Sequence, residues 1–150
     1  MAPEFSRKRA IQDLSSFLET NVSVQLYFDD HEIEETIDFS DTNNLDVSVD
    51  QAVEFDTYSE TPELLEPVEL ENVEDRKWFS GLLKSNCRVT SQPDWGDVYI
   101  YMRGNKVPTD ESLLKYIVSF RDECHFHEEI CECIYKRLWD TFSPEELICF

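Results

Sequence analysis

Glycine is scarce in this sequence, basic residues are few, and no apolar run is long. Only Gly81, Gly96 and Gly104 occur in 150 residues. No two of them lie close enough to build a phosphate-cradling loop, which excludes a P-loop or a dinucleotide fingerprint made by this chain. Lys and Arg number 13 against 33 Asp and Glu, a formal charge of -20. Affinity for phosphate backbones and for anionic lipid rests on cations that neutralise them, so neither a nucleic-acid nor a membrane partner is expected. No stretch approaches the roughly 20 apolar residues that cross a bilayer. The N-terminus also lacks the apolar core of a secretory signal, and the chain reads as soluble and cytoplasmic.

What is present points to a folded domain. Hydrophobic residues make up 41% and aromatics 13%, too much apolar surface for global disorder despite the charge. A chain of this length buries roughly 68–70% of its unfolded surface. The five cysteines are an odd number without a secretory signal, which favours reduced thiols over a disulfide framework.

Periodicity predicts the elements. Residues 6–19 read as a helix with Ile11, Leu14, Phe17 and Leu18 on one apolar face. Val22, Val24, Leu26 and Phe28 alternate with polar neighbours, a strand over 22–28. Residues 29–75 hold 18 acidic residues and no Lys or Arg. Within them Ile33, Ile37, Phe39, Leu45, Val47 and Val49 suggest one or two further strands, and Pro62 and Pro67 a loop or edge. Two strands are expected over 82–90 and 98–103, joined by a loop over 91–97. Thr109 is placed to cap a helix running to about Arg121, with Leu113, Leu114, Ile117 and Phe120 inward. A second helix is expected over 127–142, with Ile130, Ile134, Leu138 and Phe142 repeating every fourth residue. Ser143-Pro144-Glu145-Glu146 reads as the start of a short final helical turn, followed by strand-like Leu147–Phe150. The fold class is α+β, with four or more antiparallel strands beneath the helices and 22–28 in the same sheet as 98–103.

Three groups of residues can carry chemistry. Cys87 at a strand end, beside Arg88 and near Lys84, can have a lowered thiol pKa and act as a nucleophile. Asp94, seven residues on across a turn, can shuttle a proton; the alternative is a structural thiol and a turn-forming aspartate. Glu128, after His127 at a helix start, can accept two N–H donors from a purine-like ring, or can simply favour the helix dipole. Cys124, His125, His127, Cys131 and Cys133 form the third group. Their spacing matches no strong zinc signature, and small reduced thiols are the favoured reading, so no metal is expected.

Residues 83–96 (LKSNCRVTSQPDWG), 116–121 (YIVSFR) and 126–128 (FHE) stand in one order and spacing that resembles the NADPH-dependent 7-cyano-7-deazaguanine reductases of queuosine biosynthesis. The likeness is to the C-terminal half of their long, two-module form. It is dense over 82–144, with a fainter module junction at Ile11–Leu14, Val22–Val24 and Leu45–Val47. The resemblance implies a tunnelling-fold (T-fold) domain, incomplete or permuted, over 1–150: a junction remnant over 6–75 and a catalytic-type half module over 76–150. It implies that Cys87 adds to a nitrile carbon to give a thioimide, that Asp94 transfers the proton, that His127 assists, and that Glu128 holds the deazapurine. It implies NADPH as hydride donor, a small-molecule deazapurine partner and a homo-oligomer. The expectation it supports is a chain truncated at both ends that resembles an NADPH-dependent reductase turning the nitrile into an aminomethyl group. At the place of the family's lysine-rich cofactor motif stands Thr109-Asp110-Glu111-Ser112-Leu113-Leu114, which leaves binding or trapping of the nitrile as the reduced form of that expectation. The alternative is a catalytically inactive acidic scaffold acting through 29–75.

Overall fold

The computed structural model describes residues 3–24 and 38–150. The chain divides into two units, residues 1–36 and 37–150. In the first, helix α1 (Pro3–Leu18) carries the apolar face expected of it, but Leu14, Phe17 and Leu18 are exposed. The helix stops at Glu19, whose φ of 52° is left-handed. Residues 21–24 are irregular rather than extended in a sheet, which corrects the first half of the strand expected over 22–28; its second half, with Ile33 and Ile37, lies outside the described residues. Among the described residues no helix is long and apolar enough to cross a membrane.

The second unit is built on a hairpin. Strands β2 (Pro67–Cys87) and β3 (Pro93–Pro108) pair antiparallel along almost their whole length. Both run well past the expected spans. The loop expected over 91–97 is corrected to residues 88–92, because Asp94, Trp95 and Gly96 pair with Ser85, Lys84 and Leu83. Ser91 takes a left-handed φ of 56° to close that turn. Strand β5 (Glu146–Cys149) extends the sheet antiparallel on β3. The short β1 (Asn43–Asn44) and β4 (Cys124–His125) both pair in parallel with the other edge of β2. The result is a mixed five-stranded sheet in an α+β arrangement, not the purely antiparallel one anticipated.

Each predicted element has a local cause. Leu45–Ser48 forms a single helical turn, α2, where a strand was expected. Asn44 Oδ1 accepts the Asp46 N–H at 3.0 Å and so caps the turn. Asp46 in turn accepts from the Ser80 hydroxyl at 2.6 Å and the Gly81 N–H at 2.9 Å. Those bonds sit where the register shifts between Ser80 and Leu83, a bulge that changes which residues of β2 face inward. Helix α3 (Asp110–Val118) is capped by Thr109, whose Oγ1 accepts the Ser112 N–H at 3.1 Å, and it ends in a 3-10 turn over Ser119–Asp122. Asp110 ties it to the sheet by accepting from Trp78 Nε1 and Asn43 Nδ2, each at 2.8 Å.

Helix α4 (His127–Phe142) buries Ile130, Ile134, Leu138 and Phe142, the fourfold repeat seen in the sequence. It does not lead into a second helical turn at Ser143. Ser143 adopts a left-handed φ of 48° as the C-cap, and the chain enters β5, so the expected final turn is corrected to a strand. With no carbonyl ladder to join after that reversal, Leu147 packs into the core instead. The core lies between the helices and one sheet face, with Trp78, Val98, Ile100 and Met102 meeting Ile117, Phe120, Ile134 and Leu138. Alternate side chains face the other way. There Phe79 and Tyr99 pair at 4.9 Å between ring centroids, and Phe39 and Phe150 join them.

Candidate active site

The hairpin end, β4 and the first turn of α4 converge on one region. Cys87, the last residue of β2, is half-buried and stands in register with His125 of β4. Its backbone N–H donates to the Gln92 carbonyl and its own carbonyl accepts from Ser91, both at 2.8 Å. This turn wraps Thr90 around the sulfur. The Thr90 hydroxyl, then the N–H groups of Thr90 and Val89, donate to the Cys87 thiolate and lower its pKa below the ordinary thiol value. Partial burial and the charge of Asp94 oppose the shift.

Thr90 corrects the expectation that Arg88 and Lys84 acidify this thiol. Lys84 Nζ instead donates to Asn86 Oδ1 at 2.9 Å and to the Arg121 carbonyl at 2.6 Å. Arg88 is drawn to Glu129 at 2.7 Å and lies over the Phe126 ring. The signal for Thr90 was a Cys-x-x-Thr spacing at a turn, where a hydroxyl habitually bonds back to the preceding chain.

Asp94 sits opposite Ser85 on β3, and its Oδ2 lies 3.1 Å from His127 Nε2. The two side chains are thus in contact, each close to half exposed, and the Asp94 charge is near enough to be felt at Cys87. Directly opposite Asp94, the Ser85 hydroxyl is buried with no hydrogen-bond partner among the described residues. Gly96 borders the histidine: a Cβ there would lie 3.4 Å from His127 Cε1, in van der Waals contact with the ring.

His127 is the first residue of α4, and its ring position depends on how that helix starts. Glu129 reaches back to accept the Phe126 N–H at 2.9 Å, the N3 half of a capping box. The same carboxylate holds Arg88 at 2.7 Å and lies 3.5 Å from His125 Nδ1. The backbone N–H of Phe126, then the Arg88 charge, keep Glu129 below the ordinary carboxylate range, against partial desolvation. Glu129 was not among the expected site residues, although its place three residues after the N-cap is a readable signal.

Glu128, Asp97 and His127 line a cavity of about 290 Å³ together with Leu83, Val98 and Ile130, a largely apolar slot with two carboxylates at its wall. Cys87 and Asp94 do not line it; they stand beyond His127, toward the hairpin end. The structure therefore brings Cys87, Asp94 and His127 into one neighbourhood, with Glu128 on the cavity side of the same helix turn. The third cluster is dispersed. His125 bonds Glu123 at 3.2 Å, Cys131 turns toward Cys149, and Cys133 faces Tyr116 and Glu60. Among the described residues no three His, Cys, Asp or Glu side chains are grouped to hold a metal ion.

Comparisons of the sequence with known proteins return relatives that share one name. Residues 93–148 match the family model described as QueF-like protein. Over 136 residues, 91% of its length, the chain is 38% identical to the NADPH-dependent 7-cyano-7-deazaguanine reductase of Hahella chejuensis (strain KCTC 2396), of which it covers 48%. Over 72 residues, 48% of its length, it is 49% identical to the protein of the same name from Acinetobacter baumannii (strain SDF), of which it covers 26%. The chain thus spans about half the length of the first of these relatives and about a quarter of the second. The resemblance read from residues 83–96, 116–121 and 126–128 is to these reductases.

Proposed function

We propose that this chain binds 7-cyano-7-deazaguanine and captures it covalently, as the substrate half of a nitrile reductase of queuosine biosynthesis. The observation that carries this reading is the Cys87–Asp94–His127 neighbourhood beside the Glu128 cavity, on a chain similar to proteins named for that substrate. Glu128 accepts N–H groups of the deazapurine ring, and the apolar cavity walls cover its faces. The Cys87 thiolate, held by Thr90, attacks the nitrile carbon. One C≡N π pair moves to nitrogen, which takes the proton that left sulfur by way of Asp94, and a neutral thioimide results. His127 holds Asp94 in place for both transfers.

The relatives' NADPH would supply hydride to that C=N bond. Its phosphates would need free cations, and most of those described are already held by the chain's own groups, Arg121 Nε being buried with no partner among the described residues. Arg76, Arg103, Lys115, Lys136 and Arg137 are paired with carboxylates of the same unit, Lys106 donates to the Thr141 carbonyl, and the charge is -20. The chemistry assigned to this chain accordingly ends at the thioimide. A tunnelling-fold domain over 1–150 and assembly into a homo-oligomer are the finer readings that the resemblance supports.

The test is direct. Excess nitrile added to the chain is expected to raise a new near-ultraviolet absorbance and to add the ligand's mass, both lost in Cys87→Ala and both without NADPH oxidation. A wild-type chain that shows neither change removes the substrate assignment.

A further inference from the structure

Outside the Cys87 neighbourhood, two other thiols meet. Cys131 lies on α4, one turn beyond His127, and Cys149 is the last residue of β5. The Cys131 thiol donates to the Cys149 carbonyl at 3.4 Å. When Cys131 ionises, the Cys149 thiol donates to it in turn, which lowers the Cys131 pKa to about 7 against burial and the nearby Glu132 charge. Cys149 shifts the opposite way, through that same bond first and its burial second. Cys131 and Cys149 are therefore neighbours where α4 meets β5, with Cys131 the more readily ionised of the two thiols. Both line the Glu128 cavity, and both also line an open groove of about 570 Å³ on the outer side of α4, so a small polar oxidant has access. Cys124 is exposed, and Cys133 is raised by burial and by Glu60; neither has such a partner.

We propose that Cys131 and Cys149 form a peroxide-oxidisable dithiol site. The Cys131 thiolate attacks one oxygen of hydrogen peroxide, the O–O bond breaks, and hydroxide leaves; sulfur is oxidised by two electrons to sulfenic acid and the peroxide is reduced. The Cys149 sulfur then attacks the sulfenic sulfur. An S–S bond forms, the S–O bond breaks, and the departing oxygen leaves as water with the Cys149 proton. Cys131 attacks because it is the more ionised thiol near neutral pH, and Cys149 resolves because it is in contact. The bond would staple α4 to β5 along the wall of the Glu128 cavity, one helical turn from His127.

Peptide mapping of the full chain after a hydrogen peroxide titration tests this site without any nitrile or NADPH. Expected is a linked peptide pair containing Cys131 and Cys149, lighter by two hydrogens and restored by a thiol reductant. In Cys149→Ser the product should change to a Cys131 sulfenic acid trapped by dimedone. Oxidation of Cys131 to sulfinic acid in the wild-type chain while Cys149 stays reduced, linkage to any other cysteine, or no reaction at either residue would each overturn the proposal.

Discussion

At the residue scale, the Cys87 environment rests on neutral donors rather than on cations. A hydroxyl and two backbone N–H groups stabilise a thiolate by short-range hydrogen bonding, which salt does not screen as it would the field of an exposed arginine. Thr90 is the one of these that mutation can remove. Thr90→Val is expected to move the pH midpoint of Cys87 alkylation by iodoacetamide upward, toward an ordinary thiol, while Thr90→Ser leaves it near the wild-type position. An unchanged midpoint in the valine variant would show that the backbone N–H groups alone hold the charge. The Asp94–His127 pair is built differently. It depends on the hairpin register that sets Asp94 opposite Ser85, with Gly96 bordering the histidine ring.

At the element scale, the start of α4 decides where His127 and Glu128 point. Glu129 fastens that start to Phe126, and through Arg88 to the hairpin end. Its carboxyl is held below the ordinary range in the folded chain, so its contribution to stability is fully present above the unfolded glutamate pKa of about 4.3 and is lost as pH falls through the folded value. The thermal midpoint of Glu129→Gln should therefore lie below wild type at neutral pH, and the two curves should converge in acid. A constant difference across pH would assign the effect to packing. Helix α4 itself owes its position to Ile130, Ile134, Leu138 and Phe142, all buried. Helix α1 shows the contrast: the same kind of periodicity, with Phe17 at 84% exposure.

At the scale of the whole molecule, charge opposes folding. The excess of carboxylates at neutral pH is self-repelling, and most of the ion pairs are surface contacts of the kind that contribute little. Screening should help the repulsion more than it harms those pairs. Sodium chloride raised from low to physiological strength is expected to increase the melting temperature; a decrease would mean that attractive pairs dominate. A few carboxylates are fastened to the fold instead. Glu60 accepts from Tyr116 Oη at 2.9 Å and from Arg137 Nε at 3.1 Å, tying the segment before β2 to α3 and α4.

Local signals were enough for α3 and α4, where a fourfold apolar repeat and a Thr109 cap agree with the packing; Cys87, Asp94, His127 and Glu128 were named from a motif in fixed spacing, and their roles rest with the proposed function. They were not enough for β2. Its residues 67–76 mix five charged residues with Val68, Leu70 and Val73 and are nearly all exposed, and only pairing with β3 makes them a strand. The same holds for Ser143-Pro144-Glu145-Glu146, whose capping pattern is genuine but was overruled when Ser143 turned left-handed and β5 found its place on β3. Thr90 had a local signal in its Cys-x-x-Thr spacing, whereas Cys149 became visible as a partner only once the chain had brought a distant strand beside Cys131. Sequence fixes what is near along the chain; hydrogen-bond partners across a sheet edge or between helix and strand are set by closure of long loops, whose geometry no local pattern encodes.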